Sequence, residues 1–233
     1  SYTVGDLITG YGVCESVIHY YNIYGGNLKN KRVIIQGWGN VAATAAYYLA
    51  QQGAKIVGII DKNGGLINKD GFPFEKISHL LENRSSNYLE DSDIRPFDEI
   101  NNEIWKSGAE IFIPAAASRL VTNKNLEDMI EHNLEVISCG ANVPFADKEI
   151  FFGPIAKKAD AQVSVIPDFI SNCGMARTFS YLMEKNIDIN DLSIFEAVSK
   201  TIFDALKEAF ESNNSKQLIA KTSFELALKK LSL

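Results

Sequence analysis

The sequence predicts an α/β fold with a doubly wound, mainly parallel sheet and a C-terminal helical extension. Short, nearly continuous apolar runs alternate with segments of helical periodicity, which is the pattern of parallel strands covered by helices on both faces. The first of these runs ends in a glycine-rich turn that opens a helix. Strand-like runs stop at Asp168, and only helical periodicity follows it.

Five buried strands are predicted from runs of β-branched and other apolar residues. They cover residues 32–36, 55–60, 110–113, 134–137 and 162–166. After the second strand, residues 63–74 are rich in Gly, Asn and Asp and predict a turn or short excursion. Residues 83–98 are polar and weakly patterned, so they predict a surface connection.

Apolar residues spaced three and four apart predict the helices. One helix precedes the first strand, one follows the glycine-rich turn and ends at Gly53, and two lie between later strands. Three more form the extension, where Phe195 and Phe210 belong to a stripe that we expect to face the core. The predicted helices cover or begin at residues 6–24, 42–50, 74, 122–123, 175–183, 195–210 and 215–231.

Composition and charge limit the classes of function. The 233 residues are 46% hydrophobic and 22% charged, which is typical of a globular protein and not of a disordered one. The net charge is −6 without a block of like charges, so nucleic acid and anionic membrane surfaces are not expected partners. No apolar run reaches the length of a membrane span.

The cysteines and histidines predict neither a disulfide framework nor a metal site. Three cysteines form no CxxC pair, which favours a reducing compartment and hence a cytoplasmic location. Three histidines lie far apart in the sequence, without ligand spacing. The chain begins with Ser1, which is compatible both with removal of an initiator Met and with a piece of a longer protein.

The strongest local motif is Gly37-x-Gly39-x-x-Ala42, between a predicted strand and a predicted helix. The first glycine permits a tight turn, the second allows the backbone to approach a diphosphate, and the small third residue allows close packing of helix and strand. Free amides around Asn40 and Val41, with the positive end of the helix dipole, then bind the anion. This context predicts a Rossmann-like dinucleotide site.

Asp61 ends the second strand and follows Gly37 by 24 residues. This is close to the roughly 20-residue offset at which an acidic residue binds the adenosine ribose hydroxyls. A carboxylate at this point repels a 2′-phosphate, which favours NAD over NADP, although the adjacent Lys62 weakens the preference. The alternative is that the glycines serve only a tight turn and that Asp61 is an ordinary strand terminator.

Small residues and asparagines follow the later strands. Residues 115–117, 140–142 and 172–174 are candidates for ligand contact at the carboxyl edge of the sheet, but close helix packing and turn formation explain them equally well. Cys139 and Cys173 have no basic neighbours in the sequence, so a nucleophilic role is not expected.

Several of these segments together resemble the glutamate/leucine/phenylalanine/valine dehydrogenase superfamily, specifically its C-terminal NAD(P)-binding domain. The string Gln36-Gly37-x-Gly39-Asn40-Val41 is the most specific part of the resemblance. The similarity extends to about residue 185, and the remaining residues match only as helices. The other matching segments are residues 9–13, Asp61 with 64–65, 114–116, 140–144 and 166–172.

The resemblance implies reversible oxidative deamination of an L-amino acid, with a hydride passed to the nicotinamide. It implies a small amino-acid or 2-oxo-acid substrate and a homo-oligomer in the full-length protein. It also implies roles for individual residues. Thr9 contacts the nicotinamide amide, Gly39, Asn40 and Val41 hold the diphosphate, Asp61 holds the adenosine ribose, Ala115, Ala116 and Asn142 flank the nicotinamide riboside, and Asn172 lies near nicotinamide and substrate.

Two departures from the family matter. The family's catalytic Lys and Asp belong to a preceding substrate domain with a Lys-Gly-Gly-type segment, which this sequence lacks. We therefore expect residues 1–233 to be an excised cofactor domain that is inactive alone, with about 168–233 as its helical extension. In addition, the family usually has the segment Asn-Ala-Gly-Gly-Val after its last strand, and this sequence differs from that segment after Asn172. Arg177 and Ser180 are weak candidates for the substrate pocket, and Arg177 either meets an acidic substrate or pairs at the surface.

Two other functions compete with this interpretation. One is a different Rossmann-type dehydrogenase, such as a malic-enzyme-like protein, against which the Gln36–Val41 string counts. The other is a dinucleotide-sensing module without catalysis, which the lack of catalytic groups would suit. An upstream coding segment with a Lys-Gly-Gly motif would decide for the enzyme.

Overall fold

Six strands form one sheet in the computed structural model, which describes residues 2–185 and 187–231. Their order in the sheet is β3-β2-β1-β4-β5-β6, and all neighbours are parallel except β2 and β3, which are antiparallel. The strands are β1 (Arg32–Gln36), β2 (Lys55–Asp61), β3 (Gly64–Ile67), β4 (Ile111–Pro114), β5 (Val136–Ser138) and β6 (Ser164–Ile166).

Ten helices and a short 3₁₀ turn at Ile104–Lys106 accompany the sheet in the described part of the chain. They are α1 (Val4–Tyr24), α2 (Asn40–Gln51), α3 (Phe74–Glu82), α4 (Phe97–Glu103), α5 (Asn123–Glu131), α6 (Pro154–Gln162), α7 (Asp168–Ser171), α8 (Gly174–Leu182), α9 (Asp191–Ser212) and α10 (Ile219–Leu231). Among them, no helix combines the length and the apolar character that a membrane crossing requires.

Two hydrophobic clusters cover the two faces of the sheet, as a doubly wound fold requires. Val33 and Ile35 of β1 belong to the cluster formed with α1, α2, α3 and α9. Ile34, between them, belongs to the cluster formed with α4, α5 and α6 on the other face. This alternation follows from the two-residue period of a strand and confirms the predicted fold class.

Helix α1 crosses the first turn of α2 at very short range. A Cβ atom added to Gly10 would lie 2.7 Å from the carbonyl oxygen of Val41, so a larger residue would push the two helices apart. On the same helix, an added Cβ on Gly12 would lie 3.2 Å from the carbonyl oxygen of Ser171. The first helix is thereby held against the elements that follow β1 and β6.

The five predicted strands are confirmed, with ends shifted by at most two residues. The predicted turn over 63–74 is wrong for Gly64–Ile67, which forms the antiparallel edge strand β3. The predicted surface connection over 83–98 is wrong at Leu89, which is 1% exposed, and at residue 97, where α4 begins. Helices α4, α6 and α7 were not predicted, because each is short and carries few apolar residues.

Only helices follow Asp168 in the described chain, as predicted. The core-facing residues of α9 are Ile194, Val198, Ile202, Leu206 and Ala209, whereas Phe195 and Phe210 pack at the margin of the core. On helix α8, the apolar side chains Phe179 and Leu182 are exposed.

Candidate functional site

A large cleft opens where the direction of strand winding reverses. The chain leaves β1 toward β2 on one side and later returns to β4 on the other, so the carboxyl ends of β1 and β4 border a topological switch point. The cleft has a volume of about 1220 Å³, above the roughly 300–1,000 Å³ of common small-molecule pockets. Eight of the predicted cofactor residues line it: Gln36, Gly37, Gly39, Asn40, Val41, Asp61, Ala115 and Ala116.

The backbone conformation and the close packing of the turn after β1 require a glycine at position 37. Its φ of +102° lies in the left-handed region, and an added Cβ would lie 2.7 Å from Ala116 Cα and 2.8 Å from the carbonyl oxygen of Ala115. Its amide donates to the carbonyl oxygen of Ile60 at 2.7 Å. The glycine therefore allows the turn after β1 to pass directly against the turn after β4.

Gly39 has neither of these constraints. Its φ is −74°, which any residue adopts, and no atom lies within 4 Å of an added Cβ. It is the N-cap of α2 and offers no side chain to the first amides of that helix. Open space, free amides and a positive dipole end thus coincide at the cleft, which fits the diphosphate of a dinucleotide.

Asp61 lines the cleft but is already hydrogen-bonded. Its Oδ1 accepts from the amide of Asn63 at 2.8 Å, and its Oδ2 accepts from the amide of Leu89. The side chain is largely buried, with the residue 7% exposed. A carboxylate has about four acceptor positions, so ribose contact stays a prediction. A second role is evident in the structure, because Asp61 fixes the connection that carries Leu89.

Sequence reasoning missed Arg84, which lies in this connection. Its guanidinium donates from Nη2 to Asn40 Oδ1 in the first turn of α2. From Nη1 it donates to Asn87 Oδ1 at 3.3 Å and to the carbonyl oxygen of Ser86 at 3.1 Å. Its Nε is buried without a hydrogen-bond partner. No spacing rule singles out one arginine in a polar connection, so only the fold reveals its position.

Asn142 and Asn172 lie beside the cleft and bond to each other. Asn172 Nδ2 donates to Asn142 Oδ1 at 2.8 Å and to the carbonyl oxygen of Gly140 at 3.2 Å. Gly140 in turn lies against the cleft wall, since an added Cβ would be 2.8 Å from Ala115 Cβ and 3.2 Å from Val41 Cγ1. The segments after β5 and β6 are therefore coupled next to the switch point. Their predicted nicotinamide contacts stay predictions.

Thr9 lies at the junction of α1 and α8, next to the Gly10 crossing with α2. A Cβ added to Gly174 would lie 2.8 Å from Thr9 Cα. Gly174 follows Asn172 by two residues, so Thr9 and the asparagine pair share one end of the molecule. Thr9 does not line the described cleft, and its predicted contact with the nicotinamide also stays a prediction.

Val143, immediately after Asn142, has an unusual backbone conformation. Its φ is +48°, which costs energy for a β-branched residue. Its amide donates to Asp168 Oδ2 at 2.9 Å, and its carbonyl oxygen accepts from the amide of Arg119 at 2.8 Å. Two hydrogen bonds thus hold the strained residue and fix the backbone that carries Asn142.

The two weak candidates for the substrate pocket lie outside the cleft. Arg177 Nη1 donates to Glu184 Oε1 at 2.7 Å and its Nε donates to Thr201 Oγ1 at 3.0 Å. Ser180 is exposed on α8. The contacts of Arg177 favour the surface-pairing alternative over the meeting with an acidic substrate.

Other ionisable groups near the cleft have partners. Lys124 Nζ lies 2.8 Å from Asp128 Oδ2, and Lys106 Nζ lies 4.0 Å from Asp128 Oδ1. Burial raises the pKa of the Cys139 thiol well above its ordinary value, and it raises the pKa of Cys173 to about 11. Both thiols stay protonated at neutral pH, which makes them poor nucleophiles. In the described chain, no three His, Cys, Asp or Glu side chains are grouped to hold a metal.

The fold and the cleft define a class: doubly wound α/β proteins with a glycine-rich turn at the switch point. The family model described as Glutamate/Leucine/Phenylalanine/Valine dehydrogenase matches residues 4–231. The chain belongs to this dehydrogenase family.

Relatives in this family are glutamate dehydrogenases. The NADP-specific enzyme of Saccharolobus shibatae is 31% identical over 211 residues, 88% of this chain and 45% of the relative. The catabolic NAD-specific enzyme of Bacillus subtilis is 34% identical over 143 residues, 60% of this chain and 31% of the relative. A Leu-bound, hetero-hexameric glutamate dehydrogenase from Thermus thermophilus has the same fold, with a TM-score of 0.73 and 20% identity over 97% of this chain and 52% of that one. The chain spans about half or less of these relatives.

Proposed function

We propose that this chain is the nicotinamide-dinucleotide-binding domain of an L-amino-acid dehydrogenase similar to glutamate dehydrogenase. The enzyme would catalyse reversible oxidative deamination, with an amino acid and a 2-oxo acid as the substrate pair. Membership of the dehydrogenase family supports this proposal over a malic-enzyme-like function. When bound, the nicotinamide supplies the hydride acceptor for this chemistry.

The observation that carries the proposal is the space at Gly39. Gly37 is explained by the turn, but nothing in the protein requires a glycine at position 39. Because glycine has no side chain, the N-terminus of α2 is open to the cleft. A diphosphate that hydrogen-bonds these amides accounts for the glycine.

The remaining predicted contacts follow from this anchor. With the diphosphate at α2, the adenosine would extend toward Asp61 at the end of β2, and the nicotinamide riboside toward Ala115 and Ala116 at the end of β4. Asn172 bonds to Asn142 and to the carbonyl oxygen of Gly140, which lies against Ala115, and Thr9 lies near Gly174. These residues would orient the nicotinamide, and none of them needs to transfer a proton.

We propose NAD as the preferred cofactor, because a carboxylate at Asp61 beside the adenosine ribose would repel the 2′-phosphate of NADP. The relatives differ on this point, since the Saccharolobus enzyme is named NADP-specific and the Bacillus enzyme NAD-specific. The preference therefore depends on Asp61 itself, and affinities for both dinucleotides measured on this protein test it. Tighter binding of NADP would overturn it.

We further propose that a separate substrate domain, with the catalytic Lys and Asp, completes the enzyme. The chain's share of its relatives, 45% for the Saccharolobus enzyme, leaves length for such a domain in a protein of that size. The Thermus enzyme is a hetero-hexamer, and we propose an oligomer, built from identical subunits, for the full-length protein. Three free cysteines suit a cytoplasmic location.

The test is a calorimetric titration of NAD and NADP into the purified protein and its Gly39→Val variant. We expect the wild type to bind, and we expect valine to weaken binding at least about tenfold because its side chain fills the approach to the amides. Gly5→Val is the matched control, because Gly5 is an exposed glycine in the first turn of another helix, α1. Absence of binding to the wild type would refute the proposed function.

A further inference from the structure

We infer that Arg84 is a ligand of the dinucleotide's diphosphate and approaches it beside the first turn of α2, from the edge of the cleft. This inference rests on the proposed function, and it adds a residue that neither the glycine motif nor the spacing of Asp61 indicates. The geometry, the charge and the way in which the segment is held each support it.

Arg84 reaches the anion-binding end of α2 from a distant part of the sequence. Its Nη2 donates to the side chain of Asn40, the first residue of the helix after the Gly39 cap. Its Nη1 donates to Asn87, which also lines the cleft. The guanidinium therefore lies between two side-chain amides that line the cleft, although Arg84 itself lies just outside the lining.

The charge of Arg84 is not neutralised by its hydrogen bonds. All three acceptors are uncharged oxygens: two side-chain amides and one backbone carbonyl. Arg95 and Arg177, in contrast, form ion pairs with Glu103 and Glu184. Arg84 does attract Asp6, whose pKa it helps to lower, but hydrogen bonds from Thr3 contribute more to that shift.

A cation at this position is unfavourable unless an anion joins it. The N-terminus of a helix carries roughly half a positive charge, so it repels a guanidinium. In addition, Nε of Arg84 is buried without a hydrogen-bond partner, which leaves a donor unsatisfied. A phosphate oxygen between α2 and Arg84 would offset the repulsion, and the second N–H of Nη2 is available to donate to it.

Asp61 holds Arg84 in reach of the cleft. Residues 83–90 contain no helix or strand, and their position depends on buried Leu89 and on the bond from its amide to Asp61 Oδ2. A bond from Ser85 Oγ to Glu90 Oε2 at 2.7 Å closes the same segment. Asp61 is therefore a positioning residue for Arg84, in addition to its predicted contact with the ribose.

The experiment compares Arg84→Gln with Arg84→Lys by calorimetric titration with four probes: adenosine, ADP, NAD and NADP. We expect glutamine to weaken ADP, NAD and NADP by about tenfold, as loss of a charge-assisted hydrogen bond predicts, and to leave adenosine unchanged. Lysine keeps the charge and should recover part of the loss. Arg95→Gln, a change of the same type at an exposed and ion-paired arginine, should leave all four affinities unchanged.

The outcomes separate this inference from the function on which it rests. If the wild type binds neither NAD nor NADP, the proposed function fails. If the wild type binds and Arg84→Gln binds equally well, only the role of Arg84 fails. A loss confined to NADP would assign Arg84 to the 2′-phosphate, and an equal loss for adenosine would make its role structural. Either result overturns the diphosphate assignment, as does a lysine variant no better than glutamine.

Discussion

Gly37 and Gly39 are two residues apart, yet only Gly37 is constrained by its surroundings in the protein. The positive φ of Gly37 and its approach to Ala116 make any side chain costly there. Gly39 has an ordinary conformation and open space around it. Stability and binding are therefore separable at these two positions, and substitutions at them should have opposite effects on the free energy of unfolding.

Gly37→Ala should lower the free energy of unfolding by about 2–4 kcal/mol, from left-handed strain together with overpacking. Gly39→Ser should raise it by a few tenths of a kcal/mol, because serine is a better N-cap than glycine. The same serine should weaken NAD binding about tenfold, since its hydroxyl occupies the amides that the diphosphate needs. Urea unfolding and NAD titration of both variants measure the two effects. A serine variant that binds NAD as tightly as the wild type would contradict the account.

Asp61 illustrates what a sequence pattern conveys about a residue and what it omits. Its distance from Gly37 correctly placed it at the end of β2 and in the cleft. The pattern did not indicate that its oxygens accept the amides of Asn63 and Leu89, because backbone donors have no sequence signature. Arg84 was missed for a related reason, since its partner Asn40 is 44 residues away and only tertiary folding brings the two together.

At the scale of elements, the prediction was accurate where burial on both faces imposes an apolar pattern. Strands β1, β2, β4, β5 and β6 were found in this way. Strand β3 was missed because its sequence, Gly64-Gly65-Leu66-Ile67, has neither alternation nor β-branched enrichment at its start. The glycines are needed there because an added Cβ on Gly65 would lie 2.8 Å from Ile100 Cγ2.

Helix α10 depends on one buried carboxylate, which makes its attachment sensitive to pH. Asp160 of α6 is 2% exposed, and its oxygens accept from the amides of Ala220 at 2.9 Å and Lys221 at 3.0 Å. Burial raises the pKa of Asp160 above 3.8, although the two amides oppose the shift. The folded state therefore holds the Asp160 proton more tightly than the unfolded state does.

Asp160→Asn should reveal this linkage. Because the folded pKa is raised, protonation of Asp160 stabilises the fold, so the wild type gains stability relative to the variant as pH falls through the folded pKa toward 3.8. That gain is lost again as pH rises through the folded pKa, and above it the difference is constant. Urea unfolding of both proteins across this range measures the difference directly. Parallel pH profiles would show that Asp160 contributes no such dependence.

At the scale of the whole molecule, α1 connects the two halves of the sheet. Near its start, Gly10 packs on α2, which follows β1. Further along, Ser16 Oγ lies 2.8 Å from Ser138 Oγ of β5, and Tyr20 Oη lies 2.8 Å from Ser164 Oγ of β6. The ends of the predicted dinucleotide site are thus fixed relative to each other by a helix that contributes only Thr9 to it.

The 233-residue chain alone should bind a dinucleotide without oxidising an amino acid. Deamination needs a group that takes protons from the substrate amine, and the ionisable side chains that line the cleft are engaged elsewhere. Lys106 and Lys124 pair with Asp128, Asp61 accepts from two amides, and Lys62 Nζ lies 5.1 Å from the centre of the Tyr88 ring. Formation of NADH from NAD should therefore be undetectable with glutamate, leucine, phenylalanine or valine, while calorimetry shows NAD binding. Measurable NADH formation would mean that the described cleft contains its own acid–base group, and the division of labour between two domains would be wrong.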